Sequence, residues 1–576
     1  MARLIKYVEP YFGMVIFAIM LLFGQAVCDL ALPDYMSDIV NKGITNGDAA
    51  YIIKLGFQML GISLISAVFS IIVGFIASKV AAGMSQSLRI DLFERVEAFS
   101  NAEFDKFATS SLITRTTNDV TQIQTLIVML IRIIFYAPIL GIGGFVHALA
   151  NSKSMSWIVV LSIISLLGLI GTMFSFVMPK FKIVQSLIDK LNLVVRENLD
   201  GMLVIRSFNT QKFEEDRFDK ANKDLTSTNL YINRLTSGMM PAMMLIMNLV
   251  TVLIVWVGSN QVSAFKMDVG EMMAYMQYVM QIIMAFLMMA MMFIMIPRAS
   301  VSANRIADVL ETEPSVKDCS PSSNNFKISA GLIEFKNVCF SYPGAEEDIL
   351  HNISFTAKPS QTTAFIGSTG SGKSSLINLI PRFYDATSGE VLIDGINVST
   401  LSLHELRGNL GYVPQKGILF LGTIKSNVAY GDKNSTVDDI LRASKIAQAM
   451  EFIDSKPEKF ETPIAQGGNN VSGGQKQRLS IARALVKKPQ ICIFDDSFSA
   501  LDFKTDAALR KSLKEEIGTS TVLLVAQRIS TIMTADQIIV LDKGHIVGCG
   551  THEELMKTCE VYREIALSQL NKEELE

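Results

Sequence analysis

"AFIGSTGSGKSS", residues 364–375, decides how the second half of this 576-residue chain folds. It fits the spacing G-x-x-x-x-G-K-[ST] with Gly367, Gly372, Lys373 and Ser374. A β-type run, "TTAFIG", precedes it, and a helical run, "SSLINLI", follows. Strand, glycine-rich turn and helix start together make a phosphate cradle. The glycines free the backbone N–H groups of Gly367, Ser368, Thr369, Gly370, Ser371, Gly372 and Ser375 to wrap phosphate oxygens. The helix N-terminus adds partial positive charge. Lys373 is placed to reach the β- and γ-phosphates, and the Ser374 hydroxyl to bind Mg²⁺.

Two further stretches narrow the reading from any nucleotide binder. "VSGGQKQR" (471–478) carries Ser472, Gly473, Gly474 and Gln475 in a helix-capping turn about a hundred residues later. "ICIFDD" (491–496) is an apolar strand that ends in Asp495, suited to hold Mg²⁺ through water.

Composition divides the chain in two. Hydrophobic residues make up 49% and charged residues 19%. Long apolar runs fill the chain up to about residue 297, and an α/β pattern begins after about 330. A helix needs roughly 20 apolar residues to cross a bilayer. Six runs qualify, at about 14–33, 56–80, 125–148, 157–178, 239–258 and 271–297. No cleavable signal sequence is evident, so the first run is expected to stay as an anchor. The short amphipathic "LIKYVEPYFG" before it suits the membrane interface.

Basic residues set the orientation. Lys180, Lys182, Lys190, Arg196, Arg206, Lys212, Arg217, Lys220, Lys223 and Arg234 crowd the connection after span 4, and Arg89, Arg95, Lys106 and Arg115 that after span 2. The odd-numbered connections hold only Lys42, Lys54, Lys153 and Lys266. Both termini are therefore expected on the cytoplasmic side. "MSQSLRIDLFERVEAF" and "FKIVQSLIDKLNLVVREN" are helix-patterned, so the spans should continue as helices beyond the membrane.

A net charge of −3 argues against a nucleic-acid partner. Cys28, Cys319, Cys339, Cys492, Cys549 and Cys559 are scattered, with no CxxC pair, so a disulfide framework or zinc site is not expected. Within span 6, Met276, Met280, Met284, Met288, Met291 and Met295 share a sector of roughly 120° with Gln277. Such a stripe suits a cavity for varied apolar ligands, and equally a plain apolar contact face. Arg132 in span 3 costs at least ~2.5 kcal/mol on insertion scales unless it faces a cavity, a partner or the interface. His147 and Asp29 lie nearer span ends and receive no role.

Together these residues resemble the ATP-binding cassette (ABC) family, over nearly the whole chain. Six spans with long cytoplasmic loops and one cassette look like a half-transporter of the type IV exporter class. The implied fold is an α-helical six-span transmembrane domain (1–314), a linker (315–330) and an α/β P-loop ATPase cassette (331–576). Residue by residue, the resemblance places Tyr342 of "FSYPG" on adenine and Gln415 of "YVPQKGILF" at Mg²⁺. It makes Ser472, Gly473, Gly474 and Gln475 the signature, and gives Asp502 of "SALD" to the D-loop. "SNAEFDKFATSSLITRTTNDV" and "ENLDGMLVIRSFNTQKFEEDRF" look like the two intracellular loops with coupling helices. The implied cofactors are ATP and Mg²⁺.

The sequence departs from the family pattern twice. Asp496 stands where the family has the water-activating Glu, and Gln527 of "VAQRIS" where it has His. A misplacement near 1 Å can cost ~100-fold in rate, and Gln cannot carry a proton as imidazole does. The signature and Asp502, which serve the opposite site in this family, are intact. The implied protein is one subunit of a heterodimeric multidrug-like exporter in a bacterial cell membrane. Its own site holds ATP but hydrolyses slowly, and a second half-transporter supplies Glu and His. Membrane lipid and an apolar or amphipathic substrate complete the expected partners. A homodimeric exporter, a nucleotide-gated channel, and export of lipids, peptides or porphyrins remain as alternatives. The lack of a peptidase domain before span 1 weighs against leader-cleaving peptide export.

Overall fold

In the computed structural model, which describes residues 6–318, 328–516 and 518–569, the chain divides into two compact units. One comprises residues 1–96 and 110–312, the other 97–109 and 313–576. Most of the expected linker (319–327, with Cys319) lies outside the described residues, as do the side chains of Lys182 and Met291.

The first unit is helical because its runs of apolar residues satisfy their backbone polar groups internally, the only way an open chain can cross lipid. Its helices are α1 (Phe12–Asp38), α2 (Ala49–Glu97), α4 (Thr109–Thr114), α5 (Val120–Met129) and α6 (Tyr136–Asn151), with α3 (Asn101–Lys106) assigned to the other unit. They continue with α7 (Ser156–Asp200), α8 (Met202–Phe208), α9 (Gln211–Ser263) and α10 (Val269–Glu311). Six helical stretches are long and apolar enough to span a bilayer. As the sequence suggests, α2, α7 and α9 run to 49, 45 and 53 residues, well beyond a membrane's thickness. Spans 1 and 3 are interrupted by single π-turns at Ile39–Ile44, Arg115–Asp119 and Leu130–Ile134.

Helices α1, α6 and α10 pack on one another around Leu30, Leu140, Tyr275, Tyr278 and Ile282. Gly143 lets α6 approach α1, since a Cβ there would sit 2.3 Å from Leu30 Cδ1. Buried Asp119 accepts from Ser302 at 2.8 Å and from Arg305, tying span 3 to α10.

Among its described residues the second unit contains two larger sheets and a two-stranded ribbon. Strands β1 (Ile333–Phe340), β2 (Leu350–Ala357), β4 (Ser388–Ile393) and β5 (Ile396–Asn397) form an antiparallel sheet in the order β2-β1-β4-β5. The β4–β5 hairpin turns on Asp394 and Gly395, both at positive φ (49° and 79°), the conformation a two-residue hairpin loop requires. The larger sheet has the order β12-β11-β3-β10-β9-β6. Its strands are β3 (Thr362–Gly367), β6 (Leu410–Val413), β9 (Ile491–Asp495), β10 (Thr521–Val525), β11 (Gln537–Asp542) and β12 (His545–Gly550). All pairs are parallel except β11–β12. These strands read as continuous apolar runs because both faces are covered, as parallel sheets require. A two-stranded ribbon joins β7 (Gly422–Thr423) to β8 (Pro463–Ile464).

The segment 97–109 belongs to this second unit. Ser100 caps α3 through a capping box with Glu103. The buried Glu103 also accepts from the Ser315 backbone N–H at 3.1 Å. Tyr384 donates to the Asp105 carboxylate at 3.2 Å.

Candidate nucleotide site

Parallel strands aim their C-terminal ends the same way, and ligands bind there. Four neighbouring strands, β3, β10, β9 and β6, end at Gly367, Val525, Asp495 and Val413. The next residues along each strand bring Lys373 and Ser374, Gln527, Asp496 and Gln415 to one edge of the sheet. Sequence positions up to 160 apart thus meet because of strand order, not local pattern.

Gly372 stands at φ 95°, and a Cβ there would meet Leu350 Cδ2 at 2.7 Å, so the turn before α11 (Lys373–Asn378) requires glycine. Lys373 Nζ donates to the carbonyls of Gly367 (2.9 Å) and Ser368 (2.7 Å) and to Ser371 Oγ (3.3 Å). It is folded over its own loop, positioned to exchange those carbonyls for phosphate oxygens. Burial lowers its pKa, while the Asp496 and Asp495 carboxylates pull it up. Ser374 Oγ donates to Asp495 Oδ1 at 2.9 Å. Hydroxyl and carboxylate oxygens side by side are the hard donor set that Mg²⁺ takes, so the residues fit the ion. Burial raises the Asp495 pKa against the Ser374 hydrogen bond, and the neighbouring Asp496 charge raises it further.

Asp496 sits at positive φ (45°) with its N–H bonded to the Val525 carbonyl at 3.0 Å. Its Oδ2 accepts from Gln527 Nε2 at 2.8 Å and from Gln415 Nε2 at 3.4 Å. Burial raises its pKa, and the Gln415 bond, Lys373, the Gln527 bond and Arg528 oppose that rise. Tyr342 OH lies 2.9 Å from Ser375 Oγ, and its ring stands edge-on to Phe340 and Tyr384.

The signature residues do not join this cluster. Ser472 caps the helix Gly473–Leu485 in a capping box with Gln475, and Ser472 and Gly473 are exposed. Asp502 accepts from Thr505 N (2.9 Å) and Thr505 Oγ1 (2.8 Å), which lower its pKa. Ser472, Gly473 and Asp502 are thus exposed within this chain, and Gly474 and Gln475 half-buried.

The membrane unit places the remaining candidates. Of the span 6 stripe, Met276, Met280, Met288 and Met295 are half-buried, whereas Met284 and Gln277 are exposed. An apolar cavity of about 490 Å³ lies between α6, α7 and α10, and Met289, outside the stripe, is on its wall. Arg132 is exposed on a π-turn. Exposed Leu203, Val204 and Phe208 stud α8, between α7 and α9.

Sequence reasoning missed two groups. Asp29 gathers hydrogen bonds from three other helices. Tyr384, in "PRFYD", links Asp105 to the Tyr342 ring. Neither stands in a local pattern that names its partners; an acid inside an apolar run was the one available signal for Asp29.

Residues 15–286 match the family described as ABC transporter transmembrane region, and 350–499 match ABC transporter. An uncharacterized ABC transporter ATP-binding protein of Mycobacterium tuberculosis is 39% identical over 574 residues, covering 99% of this chain and 98% of that protein. A similarly named Bacillus subtilis protein is 37% identical, covering 100% and 99%. The ATP-dependent lipid A-core flippase of Pseudomonas aeruginosa is 31% identical, covering 96% and 93%. The solved structure of a bacterial Atm1-family ABC exporter with ATP bound superposes with TM-score 0.81 at 25% identity, over 97% and 98% of the two chains.

Proposed function

The chain belongs to the ABC transporter family, as a half-transporter of the exporter type that couples ATP hydrolysis to transport, and from that premise we propose that it is the slow-hydrolysing subunit of a heterodimer. The observation that carries this reading is the Asp496–Gln527 bond of 2.8 Å. Water attack on a γ-phosphoryl group needs a carboxylate free to orient and deprotonate the water. Here one oxygen of the shorter Asp496 already holds two amide donors, and no imidazole stands beside it.

Binding depends on other atoms. Lys373 and the loop N–H groups hold phosphate oxygens. Tyr342, released from Ser375, stacks on the base. Ser374, Asp495 and Gln415 would hold Mg²⁺, which neutralises phosphate charge when bound. ATP in this site keeps two cassettes closed, and the Ser472–Gln475 turn, exposed at Ser472 and Gly473, completes the partner's hydrolytic site. The partner is a second half-transporter with Glu and His at the corresponding positions. Both termini face the cytoplasm, and the assembly sits in the cell membrane. The cargo is apolar or amphipathic, a reading supported by the apolar cavity and the half-buried methionines of span 6. Similarity to lipid A-core flippases favours lipid as a second cargo.

The test is ATPase activity of the purified pair. Asp496→Glu with Gln527→His is expected to change it modestly, and Glu→Gln in the partner to abolish it. Brisk ATPase and vesicle transport by this chain alone would overturn the proposal.

A further inference from the structure

Helix Glu560–Gln569 packs Tyr562, Ile565 and Ala566 into a core cluster of the second unit, with Tyr562 and Ala566 fully buried. Tyr562 OH also lies 2.7 Å from His552 Nδ1, which fixes the helix further. Positions i, i+3 and i+4 on one face place i+7 on it too. The residue at i+7 is Gln569, where the stripe predicts an apolar side chain. It stands exposed at the end of the stripe.

Both arms of the Gln569 amide are in use. Its Nε2 donates to the Gln527 main-chain carbonyl at 2.8 Å, and its Oε1 accepts from the Ile529 N–H at 2.8 Å. The partners fix which arm is which, since a main-chain carbonyl only accepts and an N–H only donates. The loop they brace starts at buried Ala526, whose N–H donates to the Phe365 carbonyl at 3.2 Å, and ends at fully buried Ile529. Ala526 and Ile529 belong to the same core cluster as the helix. Gln527 and Arg528 cross between these two anchors. Arg528 reaches the Ser499 carbonyl at 3.4 Å and the Phe503 ring. Gln527 sends its amide to Asp496 Oδ2 at 2.8 Å.

Backbone conformation limits the directions in which a side chain can leave it. With its carbonyl pinned, Gln527 keeps one such direction. The N–H of Asp496 is bonded to the Val525 carbonyl at 3.0 Å. Each partner of the Asp496–Gln527 bond is therefore held through its main chain, one by the end of β10 and the other by Gln569. We infer that Gln569 is a positioning residue, which aims the Gln527 amide at Asp496 and so keeps occupied a carboxylate oxygen that water attack needs free. The inference rests on the slow-site reading and names what keeps that site slow.

The test uses the purified pair with Glu→Gln in the partner, so that a single turnover of radiolabelled ATP reads this chain's site. Gln569→Leu, similar in size but without the amide, should raise the rate constant at least about threefold, a fraction of what two neutral hydrogen bonds can hold. The ATP concentration giving half the maximal rate should stay within about twofold. Gln569→Glu keeps the acceptor for Ile529 and loses the donor to Gln527, so it should fall between native and Gln569→Leu, and it stands in if Gln569→Leu loosens the helix. In a Gln527→Ala background Gln569→Leu should add nothing, because it acts through that amide. Hydrogen exchange at the Ile529 amide should quicken in Gln569→Leu, while that at Tyr562 stays native. An unchanged or lower rate in both Gln569 variants, or the same rise with Gln527→Ala present, would overturn the inference and leave the slow site standing. Brisk turnover before any change at Gln569 would overturn the slow-site reading and this inference with it.

Discussion

Gln527 donates its side-chain amide to Asp496 at 2.8 Å, so the two positions that depart from the family pattern are bonded to each other. They sit 31 residues apart, just beyond the ends of neighbouring strands β9 and β10, which pair in parallel up to Val525 and Asp495. Such a bond makes the two departures one change. Either residue reverted alone leaves the other with a mismatched neighbour.

Asp496→Ala and Gln527→Ala in the isolated chain are expected to leave ATP affinity within about threefold of native, because neither belongs to the phosphate cradle. The double variant should cost less stability than the sum of the singles by about 1 kcal/mol, the worth of one hydrogen bond. Nucleotide titration and denaturant unfolding of the detergent-purified chain read the two quantities. A tenfold loss of ATP affinity in either single variant would contradict this account.

Lys373 and Ser374 are expected to separate the phosphate and metal contributions. Lys373→Ala should lower ATP affinity at least about tenfold with or without Mg²⁺. Ser374→Ala should act only when Mg²⁺ is present, so that native and variant converge in EDTA. A fluorescent ATP analogue measures both.

Tyr384 is placed to tie α3 to the Tyr342 ring. It donates to Asp105, and its ring meets the Tyr342 ring at 5.1 Å and 88°. Tyr384→Phe keeps the ring and removes a hydrogen bond worth about 1 kcal/mol. ATP affinity should hold within about twofold, while cargo-stimulated ATPase of the pair falls severalfold. Asp105→Asn, which still accepts the bond, should be milder. Equal loss of basal and stimulated activity would indicate a purely structural contact.

Asp394 makes the cassette acid-sensitive. Burial alone would raise its pKa, but N–H bonds from Ala330, Leu332 and Ser329 and the Ser329 hydroxyl more than reverse that and hold it below the usual carboxylate range. A depressed folded-state pKa contributes stability above the unfolded-state value of 3.8 and loses it as pH falls through the folded value. Native protein should therefore lose more stability than Asp394→Asn between pH 5 and pH 3, as read by thermal unfolding at each pH. Parallel curves would rule Asp394 out as the source.

The glycine-rich turn before Lys373, the six apolar spans and their helical extensions were legible in the sequence because each depends on consecutive residues. Glycine spacing fixes a turn, and twenty apolar residues fix a crossing. The acid pair and the glutamine at 527 were legible as departures, though not as a bonded pair.

What the sequence determined by itself is therefore the inventory: a glycine-rich turn before Lys373, a helix-capping turn at Ser472–Gln475, and six helices apolar enough to cross a bilayer. Tertiary structure alone decided that Gln527 closes on Asp496, that residues 97–109 belong to the unit that holds the cassette, and that Asp29 draws donors from residues 37, 107 and 252 positions away. The physical reason is range. Backbone conformation and burial pattern follow from near neighbours along the chain, whereas a hydrogen bond between distant side chains exists only once strand order and helix packing have set their separation to within an ångström.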